Sequence, residues 1–476
     1  MSRKLRVFAP RRAVRIGLAS LLVAAPLPAL AQALTAEQTQ AVDKIVTGAL
    51  SESQVPSASI AIVRDGRIVY TKAYGDQGPN VAGTTADARY QIASISKQFT
   101  AAGLLLLEDQ GKLDLDDKVA KYFPEITGSD KMTIRNLLSH TSGLQDYWPQ
   151  DYSFALMEDP VKPQEIVDRW AKKPLDFEPG TQWQYSNTGY VVAGMILEKV
   201  SGEKLMPFLR KHIFRPLHMN PINQDLAQGK GFPTGYHRYA LGPVRPEKPA
   251  APGWLWAAGE LSMTAGDLAR WDIARIDRTV LPDDDWKAQE TVFRLADGTP
   301  TGYGLGVSLS ERDGDKVVSH GGEAVGFLSE NVVVPAEKFA VVALVNADFG
   351  RATSAITKQI SDLLLPAAHD RQVEQARLML ARKFFKQLQS GKPDRSLLTA
   401  DARYYFSDQA VQDYAGSLAP LGEPTSFEAI GEPRLRGGFV NRNYRITYPD
   451  RTLLLVTYAQ AGTDGKFEQF IVMPGG

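Results

Sequence analysis

The order of strand-like and helix-like segments restricts the fold of this chain more than any other feature. Two strand-like runs, 58–63 and 67–73, flank Asp65-Gly66, a dipeptide that is typical of hairpin turns. Segments with helical periodicity follow, and strand-like runs return only near residue 304. This order predicts an α/β (α+β) sandwich, in which helices flank an antiparallel sheet and a large insert forms an all-helical subdomain.

The returning strands are predicted to form an antiparallel meander that a helix over 352–365 closes. We place these strands at 304–309, 316–319, 327–334 and 339–345. The helices predicted before them are 34–54, 95–109, 163–170, 191–200, 203–212 and 265–276.

The last hundred or so residues have a different pattern. A short linker at Pro366-Ala367-Ala368 separates a domain at 35–366 from a second one at 371–476. A helix over 376–388 precedes strand-like runs at 442–448, 452–459 and 466–472. The second domain is therefore predicted to be a small α+β unit of unknown role, and its pattern resembles the NTF2-like cone fold.

The first 31 residues have the features of a signal peptide. Six basic residues precede an apolar run over 16–30, which ends in the cleavage pattern Ala29-Leu30-Ala31. A membrane anchor is the alternative, but the run is short and contains prolines. Secretion, most simply to a bacterial periplasm, is the expectation, and no stable membrane span is expected after cleavage.

Charge and cysteine content exclude several classes of partner and stabiliser. The 476 residues contain 54 basic and 54 acidic side chains, so cleavage after residue 31 leaves a mature chain with a net charge of about −6. No nucleic-acid partner is therefore expected. The chain has no cysteine, so neither disulfides nor thiolate-bound metals stabilise it. The sequence does not determine the oligomeric state.

Ser94-Ile95-Ser96-Lys97 is the first motif whose residues could carry out catalysis. If a helix starts here, Ser94 and Lys97 lie three residues apart on one face. A desolvated lysine can accept the serine proton, and N–H groups at a helix N-terminus can stabilise an oxyanion. The pattern indicates a nucleophile and its base, although alone it also fits a helix cap beside a surface lysine.

Tyr185-Ser186-Asn187 is the second motif, and it lies between turn-forming residues. It can present a phenol as a second base and an amide that pairs with the substrate. A turn with a packed tyrosine is the alternative interpretation of this motif.

His320-Gly321-Gly322-Glu323 is the third motif, and it follows a predicted strand. Its two glycines allow a substrate backbone to approach closely, and an edge strand here can give one N–H group to an oxyanion hole. A structural histidine beside a glycine turn is the alternative.

Together the three motifs resemble the serine β-lactamase and penicillin-binding-protein superfamily, in its class C-related, peptidase S12 type. Its signature is S-x-x-K, then Y-x-N or S-x-N, then K-T-G or H-x-G. The flanking residues Y-Q-I-A at 90–93, L-L-S-H-T-S-G-L at 137–144 and A-G-E-L at 258–261 are also similar to this family. The resemblance covers about residues 35–366.

The resemblance implies a role for each matching residue. Ser94 attacks a carbonyl carbon and becomes acylated, and water then releases the acyl group. Lys97 and Tyr185 share the general base and acid roles, and Asn187 orients the substrate amide. No cofactor is implied, and the six histidines have no metal-binding spacing.

The third motif contains the one departure from the family pattern. His320 replaces the lysine of K-T-G, Gly322 matches its glycine, and the N–H groups of Ser94 and Glu323 are implied to form the oxyanion hole. Family β-lactamases bind the antibiotic carboxylate with that lysine, whereas a histidine is largely neutral at pH 7. H-x-G is more similar to the D-stereospecific peptidases, D-aminopeptidases and esterases of the group.

The leading hypothesis is a secreted serine hydrolase that cleaves a small peptide of D-amino-acid type, an amide or an ester. A genuine β-lactamase is the alternative within the enzyme class. A penicillin- or peptidoglycan-binding receptor that is acylated without turnover belongs to another class, as does a protein whose C-terminal domain is the main actor.

Several aromatic and polar residues near the motifs allow two interpretations. His140 could suggest a second serine–histidine pair, but we expect it to be structural. The segment 145–148, of sequence Q-D-Y-W, is expected to border the cleft; contact with substrate is one interpretation of its residues, and packing is the favoured one. For Trp254 and Trp256, a place on the opposite wall is one interpretation, and packing is again the favoured one.

Overall fold

The computed structural model describes residues 33–148, 155–312, 314–365 and 368–475. The expected signal peptide, residues 1–31, and residues 366–367 of the expected linker lie outside the described residues. The described strands are β1 (Ser57–Arg64), β2 (Arg67–Gly75), β3 (Tyr90–Gln91), β4 (Ile222–Asn223), β5 (Tyr236–His237), β6 (Arg245–Pro246), β7 (Leu261–Met263), β8 (Ser308–Arg312), β9 (Asp315–Ala324), β10 (Phe327–Val334), β11 (Phe339–Val345), β12 (Ser426–Arg436), β13 (Phe439–Thr447), β14 (Thr452–Ala459) and β15 (Phe467–Pro474).

The described α-helices alternate with these strands and follow one another in the long insert between β2 and β8. They are α1 (Ala36–Ser53), α2 (Lys97–Asp109), α3 (Ile134–Leu138), α4 (Pro163–Ile166), α5 (Asn187–Ser201), α6 (Leu205–Leu209), α7 (Trp256–Gly259), α8 (Ala265–Asp277), α9 (Asp283–Gln289), α10 (Ala352–Leu364), α11 (Ala368–Gln389), α12 (Ala400–Tyr405) and α13 (Asp408–Leu418). Turns of π-helix, Val167–Ala171 and Arg210–Phe214, extend α4 and α6.

The central layer is a six-stranded antiparallel sheet of order β2-β1-β11-β10-β9-β8. Asp65 and Gly66 both have positive φ, which matches the twist of a tight hairpin. The fold class predicted from the segment order, an antiparallel sheet with flanking helices, is confirmed. β10 and β11 begin and end at the predicted residues.

Alternating side chains of the sheet build two cores, one on each face. Ile60 and Ile62 of β1 pack with α1 and α10. Ala61 and Val63 belong to the larger core, which contains α8 and the helical insert. The sheet is therefore enclosed by helices on both sides, as expected for a sandwich.

The strand predicted at 304–309 is wrong in its first half, because β8 begins only at Ser308. Gly306 has a φ of +77°, and a Cβ there would lie 2.8 Å from the Lys97 carbonyl oxygen. The loop before β8 therefore needs glycine for a close approach to the start of α2, which periodicity in the sequence does not reveal.

The C-terminal segment has helices first and then a four-stranded antiparallel sheet of order β12-β13-β14-β15. Phe384 and Phe385 of α11 pack on the sheet residues Tyr444 and Leu455 in a hydrophobic core that is separate from the other two. The sequence prediction missed β12, in which Gly431 and a register shift interrupt the alternation. The NTF2-like likeness stays a prediction.

Candidate active site

Ser94 lies in a 3₁₀ turn, Ala93–Ser96, that joins β3 to α2. Ala93 has a φ of +47°, a left-handed conformation that costs a non-glycine residue roughly 1–2 kcal/mol. The predicted helix over 95–109 therefore starts two residues late, at Lys97. The strained turn leaves Ser94 partly exposed at the cleft, while its neighbours are buried.

Lys97 is fully buried directly behind Ser94. Its Nζ donates hydrogen bonds to Ser94 Oγ at 3.0 Å, to Asn187 Oδ1 at 2.7 Å and to the Ala258 carbonyl at 2.7 Å. These three acceptors use every proton of an ammonium group. Burial nevertheless lowers the pKa of Lys97 to about 7, and the negative charge of Asp146 opposes this fall.

Asn187 is the first residue of α5, and Ser186 caps that helix by accepting the Gly189 N–H at 3.1 Å. The carboxylate of Asp146 accepts both the backbone N–H of Asn187, at 3.0 Å, and its side-chain Nδ2, at 3.1 Å. This pair of bonds turns the amide oxygen of Asn187 towards Lys97. The sequence signature does not include Asp146, although the residue lies in the segment that we expected to border the cleft.

Tyr185 brings its ring over Lys97, with Nζ 4.8 Å from the ring centroid. Its hydroxyl is buried, and no atom of the described chain meets both the distance and the angle of a hydrogen bond to it. Burial raises the pKa of Tyr185 strongly, and the neighbouring Ser94 only partly opposes this rise. The phenol is therefore neutral at pH 7 and close to Ser94.

His140 packs against the segment of Tyr185 and Ser186 from the protein interior. It has a φ of +61°, is fully buried, and accepts the Ser186 N–H on Nδ1 at 3.1 Å. Its ring centroid lies 4.1 Å from that of Tyr185. Burial holds the pKa of His140 well below its usual range, so it acts as a neutral packing residue. It lies outside the cleft lining, as expected of a structural histidine.

His320 lies on β9, is buried, and has its Nε2 2.7 Å from the Tyr303 hydroxyl. Burial lowers the pKa of His320 to about 4, the charge of Lys97 adds to this effect, and the Gly321 carbonyl opposes it. The imidazole is therefore neutral at pH 7. Its two ring nitrogens contact the Tyr303 hydroxyl and the Gly321 carbonyl, and the ring offers no positive charge to a ligand.

Gly322 fixes the distance between β9 and the Ser94 turn. A Cβ at this position would overlap the Ile92 carbonyl oxygen and the Ser329 Oγ, which themselves share a 2.8 Å hydrogen bond. β8 pairs with β9 only as far as Ser319, so the edge of 320–324 that faces away from β10 has no strand partner among the described residues. Glu323 lies on this edge and borders the cleft.

The cleft around these residues has a volume of about 350 Å³. Six of the seven predicted site residues line it, and Lys97 lies directly beneath its floor at Ser94. The cleft is lined by Ser94, Trp148, Tyr185, Asn187, Leu255, His320, Gly321, Gly322, Glu323, Leu328, Ser329, Glu330, Gly350, Thr353 and Ser354.

The aromatic residues for which packing and cleft lining were the two interpretations divide between the cleft and the core. Trp148 lines the cleft, but Tyr147 is buried and donates its hydroxyl to the Trp254 carbonyl. Trp254 is itself buried and donates Nε1 to the Asp159 carbonyl at 2.8 Å. Leu255, rather than the tryptophans on either side of it, forms the opposite wall.

Neither a metal site nor a membrane helix is found in the part of the chain that the structure describes. Within these residues, no group of three or more histidine, aspartate or glutamate side chains is arranged to hold a metal ion. Every described helix is too short or too polar to cross a bilayer.

The family described as "Beta-lactamase" matches residues 42–363, which is more than half of the chain. The chain belongs to this family, and the resemblance to serine β-lactamases and penicillin-binding proteins is confirmed. Its fold is that of the β-lactamase family.

Individual relatives agree with this assignment. The chain is 31% identical to penicillin-binding protein 4* of Bacillus subtilis (strain 168) over 300 residues, 58% of this chain and 65% of that protein. A D-stereospecific amidohydrolase from Streptomyces sp. is 29% identical with a TM-score of 0.59, covering 68% of this chain and 98% of that one. The chain spans 64% to 65% of the length of the curated relatives that it matches.

A third similarity extends into the C-terminal segment. The octameric penicillin-binding protein homologue of Pyrococcus abyssi has a TM-score of 0.61 and covers 91% of this chain and 99% of that one. At 20% identity this likeness concerns the fold alone.

Proposed function

We propose that this protein is a serine hydrolase that forms an acyl-enzyme on Ser94. The observation that carries the proposal is the 3.0 Å contact between Ser94 Oγ and Lys97 Nζ, in an environment that lowers the pKa of Lys97 to about 7. A neutral Lys97 keeps two N–H donors for Asn187 and Ala258, and its lone pair accepts the hydroxyl proton of Ser94. A lysine with its ordinary pKa could not do this at neutral pH.

The reaction begins when Ser94 Oγ attacks a carbonyl carbon and passes its proton to Lys97. The backbone N–H groups of Ser94 and Glu323 stabilise the oxyanion. The intermediate collapses, the leaving amine or alcohol takes a proton, and a water molecule later hydrolyses the ester on Ser94. Tyr185 remains a neutral phenol, so we assign it the transfer of the proton to the leaving group and assign Lys97 the role of base.

The proposed substrates are small peptides of D-amino-acid type, amides or esters. The similarity to a D-stereospecific amidohydrolase supports this class. The neutral His320 also supports it, because this residue supplies no charge for the carboxylate of a β-lactam. β-Lactam hydrolysis and a penicillin-binding receptor role are the competing functions.

Replacement of the nucleophile tests the mechanism. Ser94→Ala is expected to abolish covalent labelling by a fluorophosphonate probe, whereas Ser354→Ala, at an exposed serine of the same cleft, should leave it unchanged. Labelling of Ser94→Ala at the wild-type level would exclude Ser94 as the nucleophile.

A substrate panel separates the competing functions. The proposal predicts that a D-alanyl peptide or a p-nitrophenyl ester is cleaved faster than nitrocefin. Nitrocefin hydrolysis at the rate of the ester would favour a β-lactamase. A penicillin adduct on Ser94 that persists for hours in intact-mass spectra would favour the receptor.

Export is part of the proposal. The basic segment, apolar run and A-x-A pattern of residues 1–31 support secretion to the periplasm. Expression with its own leader should give a periplasmic protein whose N-terminus is Gln32, and an intact leader in the cytoplasm would contradict this.

A further inference from the structure

The cleft extends beyond the residues that the reaction needs. From Ser94 it passes the glycines of β9 and reaches a second end formed by β10 and the start of α10. Glu330 provides the carboxyl group at this end, and Thr353 and Ser354 of α10 lie beside it in the lining. The proposed reaction assigns no role to this part of the cavity.

Glu330 points away from the catalytic turn. Its neighbour Ser329 donates a hydrogen bond to the Ile92 carbonyl and so faces Ser94. Successive residues of a strand face opposite sides, which directs Glu330 towards α10. There its Oε2 accepts the Thr357 hydroxyl at 2.7 Å. Glu330 can therefore bind a ligand without belonging to the catalytic machinery.

Gly321 keeps the passage to Glu330 open. The two residues are directly opposite each other in the β9–β10 register, so a side chain at position 321 would project on the same face as Glu330. A Cβ at Gly321 would have its nearest neighbour 3.9 Å away, in otherwise open space. The missing side chain, and not a strained backbone, leaves room for a ligand here.

The charge of the lining favours one kind of ligand. Glu330 contributes a carboxyl side chain to this end of the cavity, and among the described residues no lysine or arginine lines the cavity. The one hydrogen-bond donor that contacts Glu330 in the described chain is a neutral hydroxyl. Burial raises the pKa of Glu330, and a cation placed beside it would favour the charged carboxylate again.

We propose that Glu330 forms a specificity subsite for a positively charged group, an ammonium or guanidinium, on substrates that acylate Ser94. This inference rests on the proposed function, because it concerns the same cleft. Glu330 lies one residue along and one strand across from Gly322, which is a distance of roughly 6 Å between Cα atoms. Ser94 and Glu330 line the same cleft, so a ligand bound at Ser94 can reach Glu330 with a flexible arm.

Two fluorophosphonate probes of equal length test this subsite directly. One ends in a primary ammonium group and the other in a methyl group, and both form an Oγ–P bond on Ser94 as fluoride leaves. The second-order labelling rate of the wild type should favour the ammonium probe about tenfold, as expected of a charge-assisted hydrogen bond. Glu330→Gln should reduce this preference to below about twofold and should leave the rate of the methyl probe within about twofold.

Two further variants distinguish the subsite from a general field effect. Glu311→Gln removes a carboxylate from β8 of the same sheet, outside the cleft lining, and should keep the tenfold preference. Gly321→Val fills the passage and should remove the preference for the ammonium probe. Labelling of this variant by a probe that has no tail shows whether its nucleophile is intact.

Each outcome has a definite meaning. Equal rates for the two probes in the wild type, or an unchanged preference in Glu330→Gln, would overturn the subsite while the nucleophile stands. Absence of Ser94 labelling by every probe would instead overturn the proposed function, and the subsite with it.

Discussion

The pH dependence of hydrolysis is the sharpest test of how the Ser94–Lys97 pair works. Burial lowers the pKa of Lys97 from 10.5 to about 7, and the charge of Asp146 holds it above a still lower value. The base must be neutral to accept the proton of Ser94, so activity should rise with pH and level off above pH 7. With the ordinary pKa, roughly one lysine in three thousand would be neutral at pH 7.

The perturbation is Asp146→Asn, which removes the charge and keeps the shape. Two hydrogen bonds and the amide of Asn187 separate the carboxylate from Nζ, a path of roughly 8 Å. At an effective dielectric constant near 20, opposite charges at that distance attract by about 2 kcal/mol. Loss of this attraction disfavours the ammonium form, so the pKa of Lys97 should fall by about one to two.

The assay is kcat/KM for a p-nitrophenyl ester between about pH 5 and pH 9, followed at the isosbestic wavelength of the product. At pH 6 the wild type should retain about a tenth of its plateau, and Asp146→Asn should retain more than half. The plateau itself should decrease, because the variant loses an acceptor for Asn187 Nδ2. The midpoint of the pH profile therefore measures the effect of the Asp146 charge, and the plateau value of kcat/KM measures the effect of the position of the Asn187 amide.

Asp130→Asn is the matched control, because Asp130 is an exposed carboxylate in the helical insert. Its midpoint should equal that of the wild type. A midpoint for Asp146→Asn that is unchanged, or displaced to higher pH, would refute the assignment of Lys97 as a base whose pKa Asp146 sets.

Two further variants test packing around the site. Gly322→Ala should reduce kcat/KM at least a hundredfold, because its Cβ would push β9 away from the Ile92 carbonyl. The control Gly321→Ala should keep kcat/KM within about threefold of the wild type. Similar losses in both variants would contradict the close approach at Gly322. Glu290→Gln should lower the free energy of unfolding by about 3–5 kcal/mol, because it leaves the buried Arg275 without its ion partner. In the control, Glu178→Gln at an exposed ion pair should lower the free energy of unfolding by about 1 kcal/mol or less. Denaturant-induced unfolding measures the stability of both glutamate variants, and a small decrease in the free energy of unfolding for Glu290→Gln would show that Arg275 is solvated.

Local patterns in the sequence were sufficient for the elements that lie across the centre of the sandwich. β10, β11 and α10 have continuous apolar or alternating residues, and their predicted limits agree with the structure to within one residue. The start of α2 was misplaced, because the left-handed Ala93 depends on the packing of the turn and not on its own propensity. Tertiary contacts therefore decide the geometry at the nucleophile, where local preference fails.

The site residues show the same division. Motif spacing identified the residues that the structure places around one cleft, because that chemistry requires particular residue types. It did not reveal Asp146, which acts through Asn187 and lies in a segment with no distinctive pattern. Packing, the favoured interpretation of the aromatic residues, agrees with the structure for Tyr147 and Trp254, since both fill the core with their polar atoms bonded to backbone carbonyls.

The charges around the cleft connect the mechanism to the choice of substrate. In the reactive state the base is neutral, and the low pKa of His320 keeps the imidazole neutral too. Glu330 then places a carboxyl group at the far end of the cleft, and among the described residues no lysine or arginine lines the cavity. In the proposed subsite a cationic group gains from this carboxyl group, and an anionic group does not. Under the proposed function, the neutral Lys97 and the histidine that replaces the family's lysine therefore both disfavour ligands that carry a carboxylate.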